Sequence, residues 1–355
     1  MNQRKKILFL YFELAGYFTA CIEHLVSKHA VEIHVVRYPV NSVAPFQFDN
    51  GNDLIRYYER SEFSQEQLIQ FCRELNPDLI VCNGWSDTLY VETCKHFKNQ
   101  IPYVLTFDNP WRNTFKQNIA RFVSRLFLLP HFNQVWVPGE AQFQYALRLG
   151  FKESQIKRGL YCCDYNLFSS YYHENKELKK RNFPKRFLFL GRYTKLKGVQ
   201  ELWDAFMALH KNTDCEWELW SIGKGDLDSK FPIHPKIKNF GFVQPSELGH
   251  FIKECGVFMM PSQYEHWGVV LHEMTLAGLP VICSDTTSAA DTFVEHGQNG
   301  FLHKACSSDS ILQYMSQITK LSNEELWEMS KQSNTIGQRI NFETWSEDLL
   351  NYISR

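Results

Sequence analysis

The chain has 355 residues, 44% of them hydrophobic and 22% charged, with a formal net charge of −1. That much apolar sequence can bury two ordinary cores, so two domains are expected, and the even charge balance excludes a general nucleic-acid binder while leaving room for a local basic patch. Ten cysteines, among them Cys72, Cys82, Cys255 and Cys283, fall in apparent strands and helices without the paired spacing of a zinc site. The adjacent Cys162-Cys163 suits neither a tetrahedral site nor an unstrained bridge, so a reducing cytoplasm is the expected compartment.

The basic start and short apolar run at the N-terminus are broken by Glu13 and lack a small-residue cleavage site, which reads as a first buried strand. No run of about 18 apolar residues exists, so no membrane span is expected. Apolar strand-like runs then recur at 7–10, 31–36, 79–82, 103–106 and 135–137, separated by helical stretches, the pattern of βαβ units on a parallel sheet. Within this half, residues 110–132 combine Arg112, Lys116, Arg121 and Arg125 with Phe115, Phe122, Leu126 and Phe127 at helical spacing. Two readings fit that spacing: an amphipathic helix resting on an anionic membrane surface, or a core-packed helix with its basic face in water.

Residues 168–186 are polar and basic and contain Pro184, and they read as the connection to a second domain. Alternation resumes with strands at 187–190, 217–222, 238–243, 257–260 and 281–283, and a last helix is expected from Thr344 to Ser354. The fold class is α/β, two doubly wound parallel-sheet domains, expected at 1–167 and 178–339.

The most informative stretch runs from Pro261 to Asp285, where Glu265 and Glu273 flank Trp267-Gly268 at a passage from loop to helix. A helix from Gly268 to Ala277, stopped by Gly278 and Pro280, offers the unpartnered N–H groups of Val269, Val270 and Leu271 and the positive end of its dipole to a diphosphate. Gly191-Arg192 with Lys195, Lys197 and Gly198 follows one strand, and Gly223-Lys224-Gly225 another. An Arg fork and a Lys point charge are complementary phosphate partners. Asp226-Leu227-Asp228 is formally an Asp-x-Asp, but such triplets arise by chance, and no metal site is expected.

These elements, in this order, resemble the family 4 glycosyltransferases, retaining enzymes of the GT-B fold marked by an E-x7-E signature, here Glu265 and Glu273. The resemblance covers most of residues 186–301, with Asn239 to Val243 similar to the segment that borders the nucleotide base. It implies two Rossmann-like domains facing each other across a cleft, with a C-terminal helix, 340–355, returning to the first. It implies a nucleoside diphosphate sugar (UDP or GDP) as donor, no further cofactor, and a glycan or lipid-linked glycan as acceptor. Catalytic roles then fall to Arg192, Lys197 and Glu265, and donor binding to Gly191, Gly223, Val243, Gly268, Val269, Val270, Leu271 and Glu273. On the acceptor side Gly16 and Asp108 match, although Phe107 stands where many relatives carry His, and Thr292 where they often carry Glu. The implied setting is the cytoplasm, with peripheral membrane contact through 110–132 as one reading. A GT-B nucleotide-sugar epimerase and a catalytically inactive nucleotide-binding scaffold are the rival readings.

Overall fold

The computed structural model describes residues 4–39, 52–211 and 215–353, and it divides into two compact units, 1–164 with 340–355 and 165–339. In the first unit the chain runs β1 (Lys5–Tyr11), α1 (Gly16–Lys28), β2 (Val31–Arg37), β3 (Ile55–Glu59), α2 (Gln65–Leu75), β4 (Leu79–Asn83) and α3 (Thr88–His96). It continues with β5 (Tyr103–Thr106), α4 (Phe115–Phe127), β6 (Val135–Trp136), α5 (Glu140–Leu149) and β7 (Ile156–Lys157). The second unit comprises α6 (Tyr165–Arg181), β8 (Arg186–Leu190), α7 (Val199–Lys211), β9 (Glu218–Ile222), β10 (Ile237–Asn239), α8 (Leu248–Glu254), β11 (Val257–Met260) and α9 (Val269–Leu276). It closes with β12 (Val281–Ser284), α10 (Ala290–Phe293), β13 (Gly300–His303), α11 (Ser308–Ile318) and α12 (Asn323–Gly337), after which α13 (Phe342–Leu350) returns to the first unit.

Both sheets are parallel throughout, and they share one winding. The first has the order β3-β2-β1-β4-β5-β6-β7 and the second β10-β9-β8-β11-β12-β13. Strand order reverses beside β1 in one and beside β8 in the other, which opens a crevice at the carboxyl ends of β1 and β4, and again of β8 and β11. Central strands are buried on both faces, as in Ile7-Leu8-Phe9-Leu10 and Val257-Phe258-Met259-Met260, because helices cover each side.

Four expectations are corrected. The stretch 168–186 is not an open connection: residues 165–181 form α6, which buries Phe168 and Asn175 and is tied to α12 by Asn323 Nδ2 donating to Lys180 O at 2.9 Å. The strand expected at 238–243 ends at Asn239, whose Oδ1 accepts the Gly241 N–H at 2.9 Å and turns the chain. Strands β3, β7 and β13 had no counterpart in the sequence reading; β3 carries Arg56 and Glu59, and β7 is two residues long. Finally, α4 is not core-packed: Phe115, Phe122, Leu126 and Phe127 are exposed, and the buried side is marked by Ser124, whose Oγ donates to Leu149 O at 2.6 Å.

The closing helix α13 is held in the first unit by Trp345, whose Nε1 donates to Leu160 O at 2.9 Å and whose ring lies 5.5 Å from that of Trp136. Ser354, where the sequence reading ends this helix, lies outside the described residues.

Candidate active site

In the second unit the loops after β8 and β11 meet at the point where the strand order reverses. Gln263 ties them: its backbone N–H donates to Leu196 O at 2.9 Å and its side-chain amide to Glu201 at 2.6 Å. This brings Lys197 and Glu265, 68 residues apart in sequence, to an ion pair of 2.6 Å between Nζ and Oε2. Ser262 Oγ donates to the same carboxylate oxygen at 3.2 Å, and Ser288 Oγ donates to Glu265 O at 3.4 Å. Both members of the pair are only part-exposed, so each fixes the other's position in reduced dielectric. Arg192 follows Gly191 at the carboxyl end of β8, is exposed, and makes no ion pair among the described residues.

Helix α9 begins at Val269, with Gly268 as its N-cap at φ 98° and ψ 65°. Only glycine suits this position: a Cβ would lie 2.6 Å from Met260 Cε and 3.1 Å from Glu265 Cγ, besides occupying left-handed backbone space. The N–H groups of Val269 and Val270 open the helix and therefore have no intrahelical partner. Leu271 differs from expectation. Its N–H is already donated to Gly268 O at 3.0 Å and its side chain is buried, so it closes the first turn. Glu273 stands one turn further on, half-buried.

The other end of α9 is fixed by α12. Asn334 Nδ2 donates to Leu276 O, Ser330 Oγ to Gly278 O and Ser333 Oγ to Leu279 O, at 2.5, 2.5 and 2.6 Å, all buried. His272 bonds Gly337 O at 2.8 Å and stacks on Phe293. Leu276 O and Gly337 O are carbonyls that a helix end leaves open. Gly278 O and Leu279 O belong to the turn that follows α9, and together these buried bonds hold the helix and its dipole in place.

Gly191 and Gly223 serve each other. A Cβ on Gly223, whose φ is 150°, would sit 1.9 Å from Gly191 O, so the turn after β9 can lie against the chain leaving β8 only with glycine there. Tyr193 then receives Gly225 and donates its Oη to Asn239 Oδ1 at 3.1 Å. Asp228 accepts the Gly225 N–H at 3.2 Å, which gives one acid of the Asp-x-Asp a local turn partner. Val243 lies half-buried in the loop beyond β10.

In the first unit the corresponding crevice is a cavity of about 460 Å³. Three loops line it: Glu13 and Tyr17 after β1, Asn83-Gly84-Trp85 after β4, and Phe107-Asp108-Asn109 after β5. Gly16 opens α1 with free space in front of its Cα. Phe107, at the position of the family's histidine, is buried against Trp85 and Tyr145, with ring centroids at 5.1 and 5.7 Å. Its ring belongs to the core as much as to the cavity wall. Sequence reasoning missed Tyr11 and Tyr161, which join Tyr17 at the cavity. Burial pushes all three phenols upward, and the charge of Asp108 adds to the effect, so they stay neutral hydrogen-bonding groups. Neutral hydroxyls, amides and the two carboxylates of Glu13 and Asp108 beside aromatic rings form a lining suited to a polyhydroxylated ligand.

Comparison with known proteins fits this geometry. Residues 173–335 match the family model described as glycosyl transferases group 1. An uncharacterized glycosyltransferase of Methanocaldococcus jannaschii is 29% identical over 134 residues, which are 36% of this chain and 34% of that protein. The amylovoran biosynthesis glycosyltransferase AmsK of Erwinia amylovora is 28% identical over 132 residues, 34% of this chain and 32% of its own length. The chain thus spans about a third of the length of these curated relatives. Among solved structures, Anabaena HepE in complex with UDP superposes with a TM-score of 0.73 at 17% identity, over 98% of this chain and 99% of that one. Residues 173–335 therefore carry the group 1 glycosyl transferase match, within a chain whose two parallel α/β units have the GT-B fold.

Proposed function

We propose that this chain is a retaining glycosyltransferase that moves a sugar from a UDP- or GDP-sugar to a hydroxyl of a glycan or lipid-linked glycan, in surface polysaccharide or glycolipid synthesis. The observation that carries the reading is the Lys197–Glu265 pair beside the open first turn of α9, at the strand-order reversal of the unit that matches the group 1 family. A diphosphate at that turn would be met by the Val269 and Val270 N–H groups, by Lys197 and by Arg192. Gly191, Gly223 and Val243 would border the nucleotide, and Glu273 would accept hydrogen bonds from the ribose. Glu265 would take hydroxyls of the donor sugar, its carboxylate already oriented by Lys197 and Ser262. That the solved HepE holds UDP, and that AmsK is named for the biosynthesis of amylovoran, supports the donor class and the setting.

In the proposed step the bond from the anomeric carbon to the diphosphate oxygen breaks while a bond to the acceptor oxygen forms on the same face. The acceptor's proton passes to the leaving diphosphate. Negative charge grows on that diphosphate as the step proceeds, so fixed cations beside it stabilise the transition state more than the bound donor. No metal is required in this scheme. The first unit's cavity would hold the acceptor, with Asp108 and the neutral phenols of Tyr11, Tyr17 and Tyr161 as hydrogen-bonding partners. Product analysis with a panel of nucleotide sugars, with and without saccharide acceptors and in excess chelator, tests the reading. Transfer with retained anomeric configuration is expected. A new nucleotide sugar formed without acceptor would identify an epimerase, nucleotide binding without turnover a scaffold, and activity restored only by a divalent cation would return attention to Asp226 and Asp228.

A further inference from the structure

Helix α4 turns its apolar side outward. At 100° per residue Phe115, Ile119, Phe122 and Leu126 form one stripe, with Val123 and Phe127 at its margin. The first, third and fourth of these are 81%, 74% and 71% exposed. Six of the thirteen large exposed hydrophobic side chains among the described residues sit on this one helix. The opposite side carries Ser124, buried and bonded to Leu149 O, followed by the buried Leu128, so the helix cannot roll its stripe inward without breaking that contact.

The helix is also well formed at its start. Thr114 and Gln117 make a reciprocal capping box, and the Gln117 side chain further accepts from the Arg112 N–H at 2.7 Å and donates to Pro110 O at 2.8 Å. An exposed stripe on a capped, anchored helix is a surface awaiting contact rather than a frayed segment.

Its charges say what covers it. Lys116 lies along one margin of the stripe and Arg121 and Arg125 along the other. Arg121, Arg125 and Arg148 of α5 border a hollow of about 550 Å³ together with Phe122. None of these three arginines makes an ion pair among the described residues; Arg148 rests 5.3 Å above the Trp111 ring. Residues 109–139 contain no Asp or Glu at all. A second copy of the chain is a poor match, since two-fold pairing of α4 would set these cations against their own copies. An anionic bilayer matches both features: acyl chains take the stripe and phosphate headgroups the arginines. Thirteen residues extend about 20 Å, too short to span, and no helix among the described residues is long and apolar enough to cross a membrane.

We propose that α4 lies in the interface of an anionic lipid bilayer, with Phe115, Ile119, Phe122 and Leu126 below the headgroups and Arg121, Arg125 and Arg148 on lipid phosphates. The docking stands apart from the reaction. Its consequence for a lipid-linked acceptor rests on the proposed activity: Asp108 and Asn109 at the cavity lie in the loop that leads from β5 into α4, with five residues between Asn109 and Phe115, so a docked helix holds that loop near the membrane surface.

The test is co-sedimentation of the full chain with vesicles of phosphatidylcholine alone or with 30% phosphatidylglycerol, with melting temperature and UDP or GDP affinity measured on every variant. Binding to the anionic vesicles that weakens as salt rises is expected. Phe122→Ser with Leu126→Ser should lower partitioning about tenfold or more, and Arg121→Gln with Arg125→Gln should remove the preference for the anionic lipid. Both pairs should keep the parent melting temperature and nucleotide affinity, which separates failure of docking from failure of the enzymatic reading. No binding to anionic vesicles, or binding unaffected by either pair, overturns the proposal. A concentration-dependent dimer in the absence of lipid, abolished by Phe122→Ser, would do the same and assign the stripe to self-association.

Discussion

Replacing Gly268 by Ala perturbs the second unit at one point whose cost can be worked from its surroundings. At φ 98° a residue with a side chain pays the left-handed penalty, about 1–2 kcal/mol. The new Cβ also meets Met260 Cε at 2.6 Å, Glu265 Cγ at 3.1 Å and Thr287 Cγ2 at 3.3 Å. Moving the flexible Met260 end off its rotamer adds about 1 kcal/mol. The sum, roughly 2–3 kcal/mol, corresponds to a fall in melting temperature of about 5–10 °C for a unit of this size. Gly297→Ala supplies the control, because Gly297 also has positive φ, 82°, yet a Cβ there would meet nothing within 4 Å. It should cost only the backbone part. Displacing Glu265 also shifts the partner of Lys197, so Gly268→Ala should weaken UDP or GDP binding while Gly297→Ala leaves it unchanged. Calorimetric melting and titration of both variants decide the matter. Equal destabilisation, or intact nucleotide binding in Gly268→Ala, would refute the packing argument.

Arg192→Ala and Lys197→Ala should each reduce kcat/KM about a hundredfold or more, by removing charge that stabilises the leaving diphosphate. Since Lys197 and Glu265 pair directly, Lys197→Ala and Glu265→Ala should be non-additive by about 1 kcal/mol in a double-mutant cycle of kcat/KM, and strict additivity would show that the pair does not persist in the working enzyme. Glu265→Ala should spare affinity for the bare nucleoside diphosphate, whereas Glu273→Ala should weaken it about ten- to a hundredfold; the reverse order in calorimetry would invert the placement of the ligand. In the first unit, Asp87 caps α3 and takes Arg60 Nε at 2.7 Å. Burial raises the Asp87 pKa, but hydrogen bonds from Arg60 and Tyr38 outweigh it and hold the carboxyl below its ordinary 3.8. Its folded pKa is the lower one, so its stabilisation is present above pH 3.8 and lost as pH falls through the depressed value. Arg60→Ala should cost about 3 kcal/mol at neutral pH and flatten the acid limb of a stability-versus-pH curve.

Much of this protein was legible in one dimension because the relevant physics is local. Apolar runs such as Ile7-Leu8-Phe9-Leu10 and Val257-Phe258-Met259-Met260 announce strands buried on both faces, and the passage from Glu265 through Gly268 to Ala277 announces a helix start with an open first turn. Glycines at 191, 223 and 268 mark places where backbone must pass close to backbone or side chain. Tertiary structure decided what depends on distant partners. Lys197 and Glu265 are an ion pair only because β8 and β11 are neighbours, and Tyr11, Tyr17 and Tyr161 share a cavity although they span 150 residues of chain. The short β7 carries too few residues to show a period, and β10 stops early because the Asn239 side chain captures a backbone N–H that a continuing strand would have used. Helix α4 marks the boundary most clearly. Its periodicity is the same whether the apolar stripe is buried or bare, since amphipathicity records that a helix has two faces, and only the elements packed around Ser124 determine which face meets solvent.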